Sequence, residues 1–302
     1  MTLPKTVRIV EVGPRDGLQN QSKLVATEVK VELIQRLCDS GIKHIEVGAF
    51  VSPKWIPLMA DSAEIISQLN FKDGIIYSAL TPNTKGMKAA LKSGVNEVAI
   101  FIAASEAFSQ KNTNCSIEEA IERAVPVIKL AQEAGIQVRA YISCVMSCPY
   151  EGDNINPNAV SELCARLVDL GCYEVSLGDT IGRGTPFKTE RLIKACLSKV
   201  DAQQIAVHFH NTYGQALANI LTAMRLGIST IDSSVAGLGG CPYAKGATGN
   251  VATEDVLYML QGFGIETGTD MDKLVDTAIY ITDKINIPMA SNTARAIANK
   301  RT

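Results

Sequence analysis

Two histidines close together in the chain are the first residues whose types and spacing suggest chemistry. His208 and His210 flank Phe209 at the end of an apolar run, and the chain has three histidines in all. Side chains two positions apart on a β-strand point to the same face, so we expect both imidazoles to lie side by side. Such a pair favours a metal site that a carboxylate completes. A hydrogen-bonded polar layer is the alternative.

Acidic residues near glycine accompany three other apolar runs. Asp16 follows the first run, Glu46 lies within the second, and Asp179 closes the sixth. Each of them is a candidate ligand or catalytic group, although a helix N-cap or a turn is the more common role of Asp beside Gly. Arg15 precedes Asp16 and would place a fixed cation where negative charge develops on an oxygen.

A glycine-rich segment follows the eighth apolar run, from Ser234 to Asn250. It contains five glycines in seventeen residues, which predicts a mobile loop whose backbone can fold over a ligand. A phosphate cradle is the alternative. Cys241 near its tip is a candidate reactive thiol, although a free cysteine is more often a small buried hydrophobic residue. Asn250 offers a carbonyl oxygen to a hard cation.

The elements that must position these residues follow a regular alternation. Short β-branched runs recur about every 25 to 35 residues, each followed by a segment with helical periodicity. The predicted strands are 7–12, 44–50, 75–80, 97–103, 138–144, 174–177, 205–210 and 230–235. The predicted helices are 27–40, 57–69, 84–93, 117–134, 158–170, 188–200, 214–226 and 253–263.

Eight strand-helix units predict the α/β class and a (β/α)8 TIM barrel. An additional C-terminal helix is predicted over 271–284, before a polar tail, and residues 1–302 are predicted to form a single catalytic domain. An open doubly wound sheet is the alternative, but no G-x-G-x-x-G follows the first strand and no P-loop occurs. In a barrel, functional residues lie at the C-terminal ends of the strands.

Composition narrows the classes of partner. The 302 residues include 29 basic and 31 acidic side chains, a net charge of −2, which argues against nucleic acid as a partner. With 46% hydrophobic and 20% charged residues, a largely disordered chain is excluded. No secretory leader and no window of about 18 apolar residues for a membrane span is found, so we expect a cytoplasmic protein.

The eight cysteines are scattered along the chain without the density of a secreted disulfide scaffold. We therefore predict reduced thiols. Cys144 and Cys148 come closest to a metal pattern, but no second pair follows at zinc-knuckle spacing.

Three stretches resemble the signature sequences of the 3-hydroxy-3-methylglutaryl-CoA (HMG-CoA) lyase family. They are Val10 to Asn20, the His208-x-His210 strand and Ser234 to Tyr243. The resemblance extends from about Lys5 to about Asp283. The Arg-Asp element and the H-x-H strand are shared with isopropylmalate and homocitrate synthases, whereas the cysteine-bearing glycine loop is particular to the lyases.

The resemblance implies a bacterial-type, divalent-metal lyase that cleaves (S)-HMG-CoA to acetyl-CoA and acetoacetate. Its implied ligands are Asp16, His208, His210 and Asn250. Nitrogen and oxygen donors with open positions suit Mg²⁺ or Mn²⁺, although imidazole also suits zinc. Glu46 would lie nearby, and an acyl-CoA would be the partner molecule.

The implied chemistry gives each remaining residue a task. Asp16 or His210 would accept the proton of the tertiary hydroxyl, and the sequence does not choose between them. Arg15 would stabilise the thioester enolate oxygen, and Cys241 would carry a proton when the loop closes. Asp179 would orient Arg15 or the substrate hydroxyl.

A Claisen-type acyltransferase of the synthase branch is the alternative activity. Cys241 and the short chain after Asp283 favour the lyase, because those synthases append a further region after the barrel. Exposed apolar helix faces would favour a homodimer. No membrane or nucleic acid partner is expected.

Overall fold

Eight parallel strands close into a barrel in sequence order in the computed structural model, which describes residues 3–153, 155–239 and 249–301. Strand β1 pairs with β2 on one side and with β8 on the other, which closes the barrel. The strands are β1 (Arg8–Glu11), β2 (His44–Ala49), β3 (Ile76–Leu80), β4 (Glu97–Ala103), β5 (Gln137–Ser143), β6 (Glu174–Asp179), β7 (Ile205–Phe209) and β8 (Thr230–Ser233). The predicted TIM barrel is confirmed.

Helices alternate with the strands and surround them. They are α1 (Thr27–Asp39), α2 (Ser62–Ser67), α3 (Thr84–Ser93), α4 (Glu106–Thr113), α5 (Ile117–Glu133), α6 (Pro157–Asp169), α7 (Pro186–Leu197), α8 (Ala216–Arg225), α9 (Thr253–Gly262), α10 (Met271–Ile285) and α11 (Asn292–Arg301). Helix α10 is the predicted additional C-terminal helix. Among the described residues, no helix has the length and apolar character to cross a membrane.

Two helices were not predicted, because neither has a strong apolar stripe. Helix α4 has eight residues and is capped by the preceding Ser105, whose hydroxyl accepts a hydrogen bond from the Phe108 amide. Helix α11 buries only Ala294, and its first turn is fixed by Asp255, whose carboxylate accepts from the Thr293 amide at 2.7 Å. Local capping and one tertiary contact define these helices, and hydrophobic periodicity does not report either.

The strands are buried on both faces, with a different chemistry on each. On β2, Ile45 and Val47 join the apolar core, whereas the alternate residues His44 and Glu46 are equally buried and pair with charged partners. Because successive side chains point to opposite faces, the polar set lies inside the barrel and the apolar set lies under the helices. The barrel interior is therefore rich in charge.

Two buried carboxylates fix the chain where it leaves β8. Glu11 of β1 accepts hydrogen bonds from the Gly13 and Val235 amides at 2.8 and 2.9 Å, and Glu254 of α9 accepts one from the Ala236 amide at 2.8 Å. Ala236 has a φ of +59°, an uncommon conformation for a residue with a side chain. Burial raises the pKa of Glu254 from its ordinary value of 4.5 to about 8, and the charge of Glu11 adds to that rise.

Replacing Glu254 with Gln should change how stability depends on pH. The folded protein keeps Glu254 protonated at pH values where the unfolded chain has lost that proton, so stability falls as pH rises from about 4.5 to about 8. The Glu254→Gln variant keeps an acceptor for the Ala236 amide, but it has no carboxyl group at this position, so this fall in stability with pH should disappear. Relative to the parent, its free energy of unfolding should rise by up to about 1.4 kcal/mol for each pH unit between about 4.5 and about 8.

Urea denaturation from pH 5 to pH 8.5 measures the difference. Glu64→Gln, which removes an exposed carboxylate from α2, is the matched control. If the free energy of unfolding depends on pH in the same way in the parent and in Glu254→Gln, the raised pKa of Glu254 is contradicted.

Candidate metal centre at the barrel mouth

A single π-helical turn after β1 places Asp16. Residues Gly13–Gly17 form this turn, and the amides of Asp16 and Gly17 both donate to the Val12 carbonyl, at 2.7 and 3.2 Å. Such turns are rare and frequently occur at functional sites. A Cβ on Gly17 would lie 2.7 Å from the Cβ of Leu238, so a side chain there would push the turn away from the chain that follows β8.

Arg15 is buried between two carboxylates. Its Nε donates to Glu46 Oε2 at 2.6 Å, and its Nη1 donates to Asp16 Oδ1 at 2.7 Å. Its guanidinium carbon lies 5.6 Å from the centre of the Tyr141 ring. Burial alone would lower the pKa of Arg15, but Glu46 and Asp16 raise it further than burial lowers it, so the guanidinium stays charged. Burial raises the pKa of Glu46, and Arg15 opposes that rise.

Asp16, His208 and His210 form a cluster of metal-binding side chains at the ends of β1 and β7. One potential ligand atom from each lies within 4.8 Å of the other two. His208 Nε2 is 3.9 Å from Asp16 Oδ2, and the two imidazole centres are 5.4 Å apart. The fourth predicted ligand, Asn250, donates from Nδ2 to Asp16 Oδ2 at 2.8 Å. The structure therefore brings all four predicted ligands together.

The electrostatics of this cluster suit a cation. Burial alone would raise the pKa of Asp16, but Arg15 and the two histidines lower it to about 2, which keeps the carboxylate ionised. Burial lowers the pKa of His210 to about 4, helped by the charge of His208. Its Nδ1 is buried and has no hydrogen-bond partner among the described residues. For His208, burial lowers the pKa, but a hydrogen bond to Asp232 and the charge of Asp16 outweigh it, so the pKa is raised.

Asp179 lies at the end of β6, but it is not joined to Arg15. Its carboxylate accepts from the Gly184 amide at 2.8 Å, and burial raises its pKa to about 6. Its Oδ1 is buried without a partner in the described part of the chain. No hydrogen bond or ion pair joins Asp179 to Arg15 among those residues, so the expected orienting contact is absent. Glu46 and Asp16 form the hydrogen bonds that orient Arg15 instead.

The glycine-rich segment is described only at its two ends, 234–239 and 249–250, and Cys241 lies outside the described residues. At the first end, Val235–Gly237 form a short 3₁₀ turn. At the second, Asn250 forms an isolated bridge with His210, which carries the amide side chain to the cluster. The two described ends thus lie beside the candidate metal centre.

Sequence reasoning missed the residues that surround His208. Asp232 of β8 and Arg139 of β5 are fully buried, and both belong to the network that contacts this histidine. A signal was present, because polar residues alternate with apolar ones on both strands, as in Thr230-Ile231-Asp232. In a strand that is buried on both faces, this alternation marks side chains that point into the barrel.

Comparison with known proteins agrees with this geometry. The chain matches the HMGL-like family over residues 6–281. It is 55% identical to the 3-hydroxy-3-isohexenylglutaryl-CoA/hydroxy-methylglutaryl-CoA lyase of Pseudomonas aeruginosa, over 99% of this chain and 100% of the relative. It is 53% identical to the mitochondrial hydroxymethylglutaryl-CoA lyase of Bos taurus, over 98% of this chain and 90% of the relative.

Solved structures give the same result. The hydroxymethylglutaryl-CoA lyase of Pseudomonas aeruginosa superposes with a TM-score of 0.97 over 99% of this chain and 100% of that chain, at 55% identity. An HMG-CoA lyase from Acinetobacter baumannii in complex with coenzyme A and 3-methylmalate superposes with a TM-score of 0.92, at 33% identity, over 98% of this chain and 97% of that chain. This chain belongs to the HMGL-like family.

Proposed function

We propose that this protein is a divalent-metal-dependent lyase that cleaves (S)-HMG-CoA to acetyl-CoA and acetoacetate. The observation that carries the proposal is the cluster of Asp16, His208 and His210 beside the buried Arg15. The names of relatives that match nearly the whole chain support the substrate. They do not favour the synthase alternative. The relative bound to coenzyme A supports an acyl-CoA as the small-molecule partner.

The residues present fit a divalent cation. Asp16 is ionised, His210 has a buried nitrogen without a partner among the described residues, and His208 directs a second nitrogen toward Asp16. Asn250 would present its carbonyl oxygen after a flip of its side-chain amide by about 180°, which exchanges the positions of Oδ1 and Nδ2. Oxygen and imidazole donors suit Mg²⁺ or Mn²⁺. A bound cation would lower the pKa of the substrate hydroxyl and orient the substrate.

The side chains of this protein supply the proton transfer. Cleavage needs a base for the proton of the tertiary hydroxyl, and Asp16 and His210 remain the two candidates. His210 is the better placed acceptor in one respect, because it is neutral and its Nδ1 is free of hydrogen bonds to the described residues. If Nδ1 binds the cation, it has no lone pair left to accept the proton, so the two roles exclude each other at this atom.

Arg15 stabilises the enolate oxygen that forms when the carbon–carbon bond breaks. Nε and Nη1 are used by Glu46 and Asp16, and Nη2 forms no hydrogen bond to the described residues. A preorganised, charged donor of this kind acts mainly on the transition state, where the negative charge develops. We propose Glu46 as the residue that positions Arg15.

Two predicted roles remain proposals. Cys241 would carry a proton when the glycine-rich segment closes over the substrate and excludes water. Asp179 lies at a strand end, where its Oδ1 has no partner in the part of the chain that the structure describes, and it would contact the substrate hydroxyl. A single catalytic domain over residues 1–302, a homodimer and a cytoplasmic location also stay predictions.

Incubation of the protein with HMG-CoA tests the activity directly. Mg²⁺-loaded protein should release acetoacetate and acetyl-CoA in equal amounts, and protein treated with a chelator should release neither until Mg²⁺ is restored. Acetyl-CoA with a set of 2-oxo acids tests the synthase activity, which would release free CoA. Release of CoA without acetoacetate formation in the first assay would overturn the proposal.

Replacing His210 with Ala should weaken Mn²⁺ binding and abolish cleavage, because the cluster loses one of its nitrogen donors. The loss of affinity should be at least tenfold, measured by electron paramagnetic resonance of free Mn²⁺. His44→Asn is the control, since it removes an imidazole at the opposite end of the barrel, where His44 bonds to Glu97. Equal Mn²⁺ affinity in His210→Ala and the parent would exclude His210 as a ligand.

Truncating Arg15 separates catalysis from structure. If Arg15 acts on the enolate oxygen, Arg15→Met should lower kcat by about 10² to 10³ and raise KM far less. Arg15→Lys should rescue poorly, because an ammonium lacks the planar fork that reaches Glu46 and Asp16 together. The measurement is kcat per bound metal, with the melting temperature recorded beside it. Near-parental turnover per bound metal, with a lowered melting temperature, would reduce Arg15 to a structural residue.

A further inference from the structure

A network of buried ion pairs adjoins the histidine pair inside the barrel. Arg139 donates from Nη1 and Nη2 to the two oxygens of Asp232, at 3.0 and 2.6 Å, and from Nε to Glu174 at 2.6 Å. The Ser176 hydroxyl donates to Asp232 Oδ2 at 2.7 Å. These four side chains are almost completely buried. A carboxylate fixed by three donors in a dry interior has a single orientation.

Asp232 also contacts His208. Its Oδ2 lies 3.2 Å from His208 Nδ1, while the other ring nitrogen, Nε2, lies 3.9 Å from Asp16 Oδ2. A carboxylate that pairs with a guanidinium through both oxygens is ionised and can only accept hydrogen bonds. The Nδ1 atom must therefore carry a proton, so in a neutral ring the free lone pair is on Nε2, which faces Asp16. The Tyr141 ring meets His208 edge-on, with centres 5.8 Å apart.

The two histidines differ in this respect. His210 Nδ1 is buried without a partner among the described residues, whereas His208 Nδ1 has an anionic one. Among the described residues, the network thus contacts His208 and not His210. Histidines that bind metals typically donate their second ring N–H to a carboxylate, which selects the tautomer and the ring orientation.

We propose that Asp232 is a positioning residue that holds His208 as the Nδ1–H tautomer, with Nε2 directed toward Asp16, and that Arg139 holds Asp232 in place. The consequence for metal affinity rests on the proposed function, but the tautomer does not. Asp232 does not touch the reacting atoms. It acts through His208, so its removal should weaken metal binding about 10- to 100-fold.

The tautomer is measurable in metal-free protein. Long-range ¹H–¹⁵N correlation spectra of protein labelled with ¹⁵N-histidine report which ring nitrogen carries the proton, and three histidines make assignment by single substitutions practical. At alkaline pH, where imidazoles are neutral, His208 should be the Nδ1–H form. A predominant Nε2–H form in the parent would overturn the proposal, and this result needs no variant to fold.

Asp232→Leu provides a sharper test. Leucine is close in shape to aspartate and offers no acceptor to His208 Nδ1, so the carboxylate that still lies beside the ring is Asp16, near Nε2. His208 should then invert to the Nε2–H form, with an N–H where the lone pair was. Ser176→Ala is the matched control, because it removes a hydrogen bond from the same oxygen and leaves the contact with His208. In Ser176→Ala, His208 should keep the Nδ1–H tautomer of the parent.

Mn²⁺ affinity measured on the same three proteins completes the test. Inversion in Asp232→Leu together with a 10- to 100-fold loss of affinity supports the proposal, provided that Ser176→Ala shows neither. An unchanged tautomer in Asp232→Leu, or inversion with unchanged affinity, would overturn it. A parent that binds no Mn²⁺ would refute the proposed metal centre, and the tautomer spectra alone would then decide the role of Asp232.

Discussion

Compensation of buried charge is the constraint on which the rest of the site depends. Moving an ion out of water costs several kcal/mol even after relaxation, so each charge inside the barrel needs partners of good geometry. The guanidinium of Arg15 meets this requirement through Glu46 on one side and Asp16 on the other. The same contacts fix Asp16, which lies on a short turn with little regular structure around it. The two ion pairs of one buried arginine therefore help to fix both the position and the charge of the candidate ligand.

A second buried arginine, Arg139, also lies between two carboxylates. Arg139 is paired with Asp232 and Glu174, and its guanidinium carbon lies 5.1 Å from the Tyr141 ring, which Arg15 also approaches. One aromatic ring therefore lies close to both cations, a contact that the electron-rich face of a ring favours. The two ionic sets converge on His208, because Asp16 belongs to the first and Asp232 to the second. His210 Nδ1 differs from these groups, because it has no partner within the described ranges, whereas nearly all buried polar atoms are normally paired.

Much of this arrangement could be predicted from the sequence, because periodicity reports which residues are buried together. The alternation of strands and helices gave the barrel, and the barrel in turn places strand ends at one mouth. The two-residue spacing of His208 and His210 then predicts a shared face, and Asp16 and Asn250 were expected beside them. The barrel and the shared face need only local pattern and one topological rule, whereas the ligand set of Asp16, His208, His210 and Asn250 came from the resemblance to the lyase family.

The remainder depends on contacts between residues far apart in the chain, which periodicity does not encode. Asp232 lies 93 residues from Arg139, and the local sequence of neither strand indicates that these two side chains form an ion pair. Asp179 illustrates the same limit, since its strand-end position was predicted while its actual partner is the Gly184 amide. Helix α11 similarly depends on one carboxylate in α9. Local sequence indicates which side chains enter the barrel, and the packed fold determines which of them meet.

Anomalous diffraction from crystals loaded with Mn²⁺ tests the central claim most directly. The account predicts one strong peak about 2.1 Å from an Asp16 oxygen and from one nitrogen each of His208 and His210, with the Asn250 amide turned so that its oxygen faces the ion. A peak bound instead at Asp179, or at any group apart from these histidines, in crystals of protein that cleaves HMG-CoA, would contradict it.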